Sequence, residues 1–470
     1  MNKLREGIIY NSIGKYSNVL ISLIVQIILA RMITPKEFGI IAIVNVFLVF
    51  FQLLTDFGFG PAVIQQKDLD DLEINHIYSF TVYYSIVLAL LLCFSSKFIT
   101  NFYNLSELRT AIPLMSIVLL LNSLISLPQS ILLKQKNFKI VNYAQIFGNL
   151  FNGLISVFFA YLGYSFMSII FGQITRGIIL LCIYLYLTKM RFTFHFSFKP
   201  ISKIFGFAKN QLIFNIINYF SRNLDNILIG RYMSPTELGF YDKAYQLTLY
   251  PNSIFTGVIT SAIQPVFSEF EDNVSHIKNG YLRVTNVLAN LSIPLTVFLF
   301  FNSKDIILLL YGEQWLNSEM VFKILCISVW IQMLQSCTGA FLQSANRTDL
   351  LLLSGILSSI LNIIGIIFGI RLGDIKWVAI MILISFSINF IQTNFLMMNI
   401  AFNTTIIEFF KNLLKPVVLG LIILCIFIFV PSFNFNPFIN LTINGTILLC
   451  GMLIGLLVTD QFKDLLSILK

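Results

Sequence analysis

Charged side chains lodged in long apolar runs are the places where this sequence could do chemistry. Arg222 and Asp225 stand in Ser221-Arg222-Asn223-Leu224-Asp225-Asn226, and their i, i+3 spacing would put both on one helix face. Lys15 lies in Asn11-Ser12-Ile13-Gly14-Lys15-Tyr16-Ser17-Asn18, and Arg176 in Gly172-Gln173-Ile174-Thr175-Arg176-Gly177. Asp56 precedes Phe57-Gly58-Phe59-Gly60-Pro61, and Arg31 and Arg231 each close an apolar run. A charge near the centre of a bilayer costs ~2.5–3.5 kcal/mol on insertion scales, so such a residue should face protein or water. The chemistry on offer is electrostatic. The basic groups would hold an anion, phosphate above all. Asp225 would set the charge of Arg222 or bind a cation, and Asp56 would balance Arg31 or Arg231 or bind a proton. Structural uses compete with each of these: an Arg222–Asp225 pair joining helices, Lys15 snorkelling to the membrane surface, and Arg176 held by a simple pairing. Gln129, Gln135, Gln264, Gln332, Gln335 and Gln343 could bond sugar hydroxyls, but more often such amides tie helices together.

Other chemistries have little to build on. His76, His195 and His276 are far apart, and none of the six cysteines forms a C-x-x-C pair. No metal, cofactor or histidine-based enzyme site is expected.

The elements that would position these charges are membrane helices. Of 470 residues, 57% are hydrophobic and only 11% charged, with a mean hydropathy of +0.83. That excludes a soluble protein. The net charge of +9 fits basic cytoplasmic loops beside anionic lipid rather than nucleic acid. Spans of ~20 apolar residues are expected near 10–31, 38–60, 76–99, 110–133, 141–161, 165–188, 210–231, 239–265, 281–301, 319–343, 350–370, 376–400, 413–430 and 440–458, fourteen in all. The N-terminus lacks a small-residue cleavage site and reads as a retained first helix. Between the sixth and seventh spans runs a basic, aromatic linker, Lys189 to Lys209, part of which could lie on the membrane as an amphipathic helix.

A phrase occurs twice. Arg31-Met-Ile-Thr34-Pro35-Lys-Glu37-Phe38-Gly39 returns 200 positions later as Arg231-Tyr-Met-Ser234-Pro235-Thr-Glu237-Leu238-Gly239. Thr34 and Ser234 would be N-caps, the prolines the first helical residues, and the glutamates the third position of a capping box. Six spans separate the copies, so both face the same side and the repeat is parallel. Two six-helix lobes are expected, 1–195 and 196–402, followed by a helix pair and tail over 403–470. Lys and Arg are nearly twice as frequent in the loops on the N-terminal side as in the opposite ones, where Lys36, Lys97, Lys243 and Lys304 fall. Both termini are therefore expected in the cytoplasm.

Three stretches carry a family resemblance: Leu29 to Gly39; Asp56-Phe-Gly-Phe-Gly-Pro-Ala-Val-Ile-Gln65; and Asn223-Leu-Asp225-Asn-Ile-Leu-Ile-Gly-Arg231 with Leu238-Gly239-Phe240-Tyr241 and Ala244-Tyr245. Together they resemble bacterial polysaccharide flippases of the lipopolysaccharide and teichuronic-acid exporter branch. That branch belongs to the superfamily of multidrug extruders and the lipid II flippase. The resemblance spans nearly the whole chain and is weakest in the last two spans. It implies two lobes forming a V around a central cavity that opens to either side in turn. It also implies an undecaprenyl-pyrophosphate-linked oligosaccharide as substrate, in the bacterial cytoplasmic membrane, with polymerase and glycosyltransferase partners and membrane lipid around it. Arg222, Asp225 and Arg231 fall in its strongest segment. Lys15 and Arg176 match none of its motifs and rest on the membrane-charge reasoning.

Two rivals stand against a flippase. A cation-coupled drug exporter of the same superfamily would favour an acidic, aromatic cavity, whereas the intramembrane charges here are mostly basic. A membrane polymerase or ligase would need a large outer loop bearing catalytic residues, and the outer loops are short.

Overall fold

The computed structural model describes residues 2–56, 60, 63–64, 69–194, 216, 219–220, 223–271, 273–431 and 435–461. The regular structure among them is helical. In chain order the helices are α1 (Asn2–Met32), α2 (Pro35–Asp56), α3 (Asp71–Tyr103), α4 (Leu108–Lys134), α5 (Phe138–Tyr161), α6 (Met167–Thr188), α7 (Pro235–Phe267), α8 (Val274–Phe301), α9 (Ser303–Leu310), α10 (Glu319–Cys326), α11 (Val329–Gln335), α12 (Thr338–Ser344), α13 (Thr348–Arg371), α14 (Ile375–Phe395), α15 (Ile406–Phe429) and α16 (Pro437–Val458). Residues 223–232 are also helical.

Among the described residues, eleven helices are long and apolar enough to cross a membrane, or up to twelve if one bent pair forms a single span. The eleven correspond to eleven of the fourteen expected spans. The remaining three differ, each in its own way. Ten of the 22 residues of 210–231 lie outside the described residues. The 239–265 segment sits in α7, a continuous helix of 33 residues that carries Asp242, Lys243, Gln246, Asn252 and Ser253; α7 is not among the eleven. The 319–343 segment is not one rod but α10, α11 and α12, bent by 49° between Cys326 and Val329. Neither proline nor glycine makes that bend. Ser328 Oγ donates to the Leu325 carbonyl at 2.6 Å, Ser336 Oγ to Met333 at 2.7 Å and Cys337 Sγ to Leu334 at 3.0 Å. Side chains thereby take over carbonyls at both interruptions, which loosens the backbone ladder there.

The chain divides into two compact units, Met1–Gly239 and Phe240–Lys470. In the first, α4 packs against α2, α3 and α6, α6 against α5, and α5 against α1. Small residues set the spacing, as in many membrane bundles: a Cβ on Gly177 would stand 2.8 Å from Leu121 Cβ, and one on Gly153 would stand 2.3 Å from Val25. In the second unit α8 is central, touching α10, α11, α15 and α16. Amides bind the last helices to it: Asn286 Nδ2 donates to the Asn412 carbonyl at 2.9 Å, and Asn444 Nδ2 donates to Asn302 Oδ1 at 2.6 Å.

The repeated phrase folds as its capping chemistry demands. Helices begin at Pro35 and Pro235. In the first copy the Thr34 N–H and hydroxyl both donate to Glu37 Oε2 at 2.8 Å. In the second, the Glu237 N–H donates to Ser234 Oγ at 3.1 Å, and the Ser234 hydroxyl donates to Glu237 Oε2 at 3.1 Å. Each copy thus shows one half of a capping box. The two copies also meet. A Cβ on Gly39 would lie 1.7 Å from the Pro235 carbonyl oxygen, and one on Gly239 would lie 2.0 Å from the Pro35 carbonyl oxygen. The arrangement is reciprocal, as a local two-fold relation between duplicated segments requires, and only residues without a side chain allow it.

The start of the basic linker is an extended strap, not a helix. The Arg191 N–H donates to Asn75 Oδ1 at 3.0 Å, the Thr193 N–H to Ser79 Oγ at 2.9 Å, and the Tyr83 hydroxyl to the Phe194 carbonyl at 3.2 Å. Asn75, Ser79 and Tyr83 form one stripe along α3 at i, i+4, i+8. The rest of the linker lies outside the described residues.

One contact beside the phrase yields a pH prediction. Lys36 Nζ donates to Glu107 Oε1 at 2.9 Å, and this bond chiefly holds the Glu107 carboxyl below its usual 4.5. A carboxyl lowered in the folded state adds stability above its unfolded pKa and loses it as pH falls through the folded one. The window therefore lies below pH 4.5. Wild type should lose melting temperature there more steeply than Lys36→Met; equal slopes would show that the bridge contributes nothing.

Candidate functional site

Within the first unit, polar side chains form a belt at one level across five helices. Asn122 Nδ2 on α4 reaches Gln52 Oε1 on α2 at 3.5 Å. Leu121, beside Asn122, packs on Gly177 of α6. Arg176, beside Gly177, lays its Cγ against α5, 3.4 Å from where a Cβ on Gly148 would stand. Asn149, beside Gly148, donates from Nδ2 to Asn18 Oδ1 of α1 at 2.8 Å. Sequence neighbours on a helix differ in height by ~1.5 Å, so Asn18, Gln52, Asn122, Asn149 and Arg176 share a layer. Arg176 is the tenth of the 22 residues of α6. At ~1.5 Å per residue that is ~13 Å from one end and ~18 Å from the other, near mid-membrane depth.

Arg176 is the charge in this belt. The side chain is half-buried, and its Nε is buried with no hydrogen-bond partner among the described residues. Among those residues no carboxylate forms an ion pair with it. The belt amides bond to one another, and a neutral amide cannot balance a cation. An uncompensated charge at this depth costs ~2.5–3.5 kcal/mol or more.

The other candidates fall into separate places. Lys15 is exposed on α1, three residues and ~4.5 Å along the helix from Asn18. Arg31 is exposed in the last turn of α1, thirteen residues and ~20 Å from Asn18, where a cation suits the helix C-terminus. Arg231 is half-buried with its guanidinium 5.2 Å from the Phe102 ring centroid and 5.9 Å from that of Tyr232. Tyr103 donates to the Ile227 carbonyl at 3.4 Å, which docks the 223–232 helix on α3, and Tyr219 donates to the Val46 carbonyl of α2. Asp225 is buried at 6% exposure, and its Oδ1 accepts from the Asn226 N–H at 2.8 Å. Arg222 and the Asp56 side chain lie outside the described residues. Thus Arg176 and Lys15 stand within about a turn of one level, while Arg31 lies at the far end of α1.

The second unit holds a charge that sequence reading misplaced. Lys243, assigned to an outer loop, is 2% exposed inside α7, with Nζ 5.8 Å from the Tyr311 ring centroid. Beside it Asp242 accepts from Gln246 Nε2 at 2.7 Å. The signal was in the repeat. At the 200-residue offset stand Ala42 and Ile43, both buried, Ile43 completely, so position 243 belongs to a core whatever side chain it bears. Gly39 and Gly239 were visible as part of the phrase, but not as its crossing point.

A sequence profile described as "Polysaccharide biosynthesis protein" matches residues 28–321. The chain belongs to that family. Among its relatives is the teichuronic acid biosynthesis protein TuaB of Bacillus subtilis, 27% identical over 421 residues, which are 88% of this chain and 86% of TuaB. Another is the lipopolysaccharide biosynthesis protein WzxC of Escherichia coli, 21% identical over 421 residues, 89% of this chain and 86% of WzxC. Of solved structures, the lipid II flippase MurJ in an inward closed conformation aligns with a TM-score of 0.77, covering 97% of this chain and 99% of that one. At 14% identity that likeness shows a shared fold. This member of the polysaccharide biosynthesis family is accordingly a multi-pass helical membrane protein, and the resemblance seen around Arg31, Asp56 and Asn223 to Arg231 is a family relationship.

Proposed function

We propose that this protein is a flippase that moves an undecaprenyl-pyrophosphate-linked oligosaccharide across the bacterial cytoplasmic membrane by alternating access, for assembly of a cell-surface polysaccharide. The observation that carries this reading is the combination of a polysaccharide-biosynthesis sequence with the fold of a lipid II flippase over nearly the full length of both chains. Physical chemistry supports it. Moving a diphosphate and several sugars through hydrocarbon unaided is prohibitive, and a protein lowers that barrier by offering polar surface at depth without making or breaking a bond. In this reading Lys15, Arg31, Arg176, Arg222 and Arg231 meet the anionic group in turn, while Asp225 or Asp56 exchanges a coupling ion. Fourteen spans arranged as two parallel six-helix lobes and a terminal pair, with both termini cytoplasmic, complete it. A polymerase and glycosyltransferases would be its partners.

The test uses a strain lacking its own flippase for a defined lipid-linked glycan. Expression of this protein should bring labelled glycan to the outer leaflet, and Arg222→Ala should reduce that appearance at equal protein level. Failure across several glycans, together with gained resistance to cationic drugs, would replace the reading with drug export.

A further inference from the structure

We propose that Arg176 is the mid-membrane resting site for the phosphate group of the transported lipid carrier, a defined anion site inside the first unit. This rests on the flippase reading for the identity of the cargo, but the anion site itself does not.

Three observations converge on it. The first is depth: Arg176 stands near the middle of α6, where a permanent cation is least tolerated. The second is a lack of charge balance. Nε is buried without a partner among the described residues, and the neighbouring amides are engaged with each other, Asn149 with Asn18 and Asn122 with Gln52. The third is a prepared seat. The stem is packed, with Arg176 Cγ 3.4 Å from where a Cβ on Gly148 would stand, beside Leu180 Cγ at 3.2 Å from the same point. A guanidinium held by its stem presents a fixed fork, whose two parallel N–H groups match two oxygens of one phosphate. Chloride fills one arm of such a fork and a phosphate fills both. A site at this depth divides the crossing into two shorter steps.

The test reads binding, not transport. The full chain is purified into nanodiscs, and its melting temperature is followed with millimolar inorganic pyrophosphate, sodium chloride or neither. A ligand that binds only the folded state raises the melting temperature with concentration. Pyrophosphate should stabilise wild type well beyond equal ionic strength of chloride. Arg176→Gln should lose that shift, with affinity at least about tenfold weaker, and Arg176→Lys should keep part of it because charge remains but the fork is gone. Without ligand, Arg176→Gln should melt at or above wild type, since it removes an unbalanced charge. The proposal falls if wild type shows no pyrophosphate shift, if chloride matches pyrophosphate, if Arg176→Gln keeps the shift, or if unliganded Arg176→Gln melts well below wild type. Glycan translocation by the same variants separates the two readings. Loss of the pyrophosphate shift with no translocation by any variant, wild type included, leaves the site and removes the flippase. Full translocation by Arg176→Gln with the shift intact does the reverse.

Discussion

Adding a single methyl group at Gly39 or Gly239 should destabilise the protein by ~3 kcal/mol or more, at the upper end of overpacking costs. The reason is what the methyl would strike. At 1.7 and 2.0 Å the obstacle is a backbone carbonyl oxygen, of Pro235 in one case and Pro35 in the other. A side chain could rotate away; a carbonyl at the first residue of a capped helix cannot. Gly39→Ala and Gly239→Ala should each lower the melting temperature sharply in detergent. The double variant should cost less than the sum, because the first methyl already opens the crossing that the second would open again. Simple additivity would mean the two glycines do not share one contact. Unchanged melting in either single variant would mean the approach is not as close as described.

The second large effect concerns Lys243. Lys243→Glu would place a second carboxyl next to Asp242 at a position only 2% exposed, and the expected loss is ~3–5 kcal/mol, typical of leaving a buried charge uncompensated. The informative companion is Asp242→Ala/Lys243→Ile, which installs the pair that the first copy already carries as Ala42 and Ile43. Replacing buried ionic groups by apolar ones of similar volume is often neutral or stabilising, so the double variant should melt at least as high as wild type. If it unfolds as readily as Lys243→Glu, Lys243 makes an interaction that no aliphatic side chain can replace.

These two cases mark how far the sequence could be read. Helix starts were legible to the residue at Pro35 and Pro235, because capping is local: Thr34 and Glu37, or Ser234 and Glu237, settle it within one turn. Most spans were legible because length and hydropathy suffice to cross a bilayer. The interruption after Cys326 was not, since it depends on serine side chains choosing a backbone carbonyl over another partner, a choice that serines in unbroken helices also face. Lys243 was legible only through the 200-residue offset to Ile43; its own charge and nearness to the phrase argued for a loop. Arg176 stood out as a charge among apolar residues. Its place in a belt with Gln52, Asn122, Asn149 and Asn18 did not, because that depends on which helices become neighbours, and hydropathy carries no information about neighbours. Whether Arg222 and Asp225 pair, as their spacing allows, turns on a residue outside those described.

The reciprocal crossing has a consequence for how the chain is made. The carbonyl that shields Gly39 belongs to Pro235, so the first unit cannot close its own contact until the polypeptide has grown by some 200 residues beyond that glycine. At translation rates of about 5–20 residues per second, that is a wait of ~10–40 s. Through that interval the start of α2 is already in the membrane, with a bare backbone facing whatever the insertion machinery or the lipid supplies. A nascent chain stalled before Pro235 should therefore present an unfinished first half, recognisable to membrane quality control, and one stalled only after Gly239 has cleared the ribosome should not.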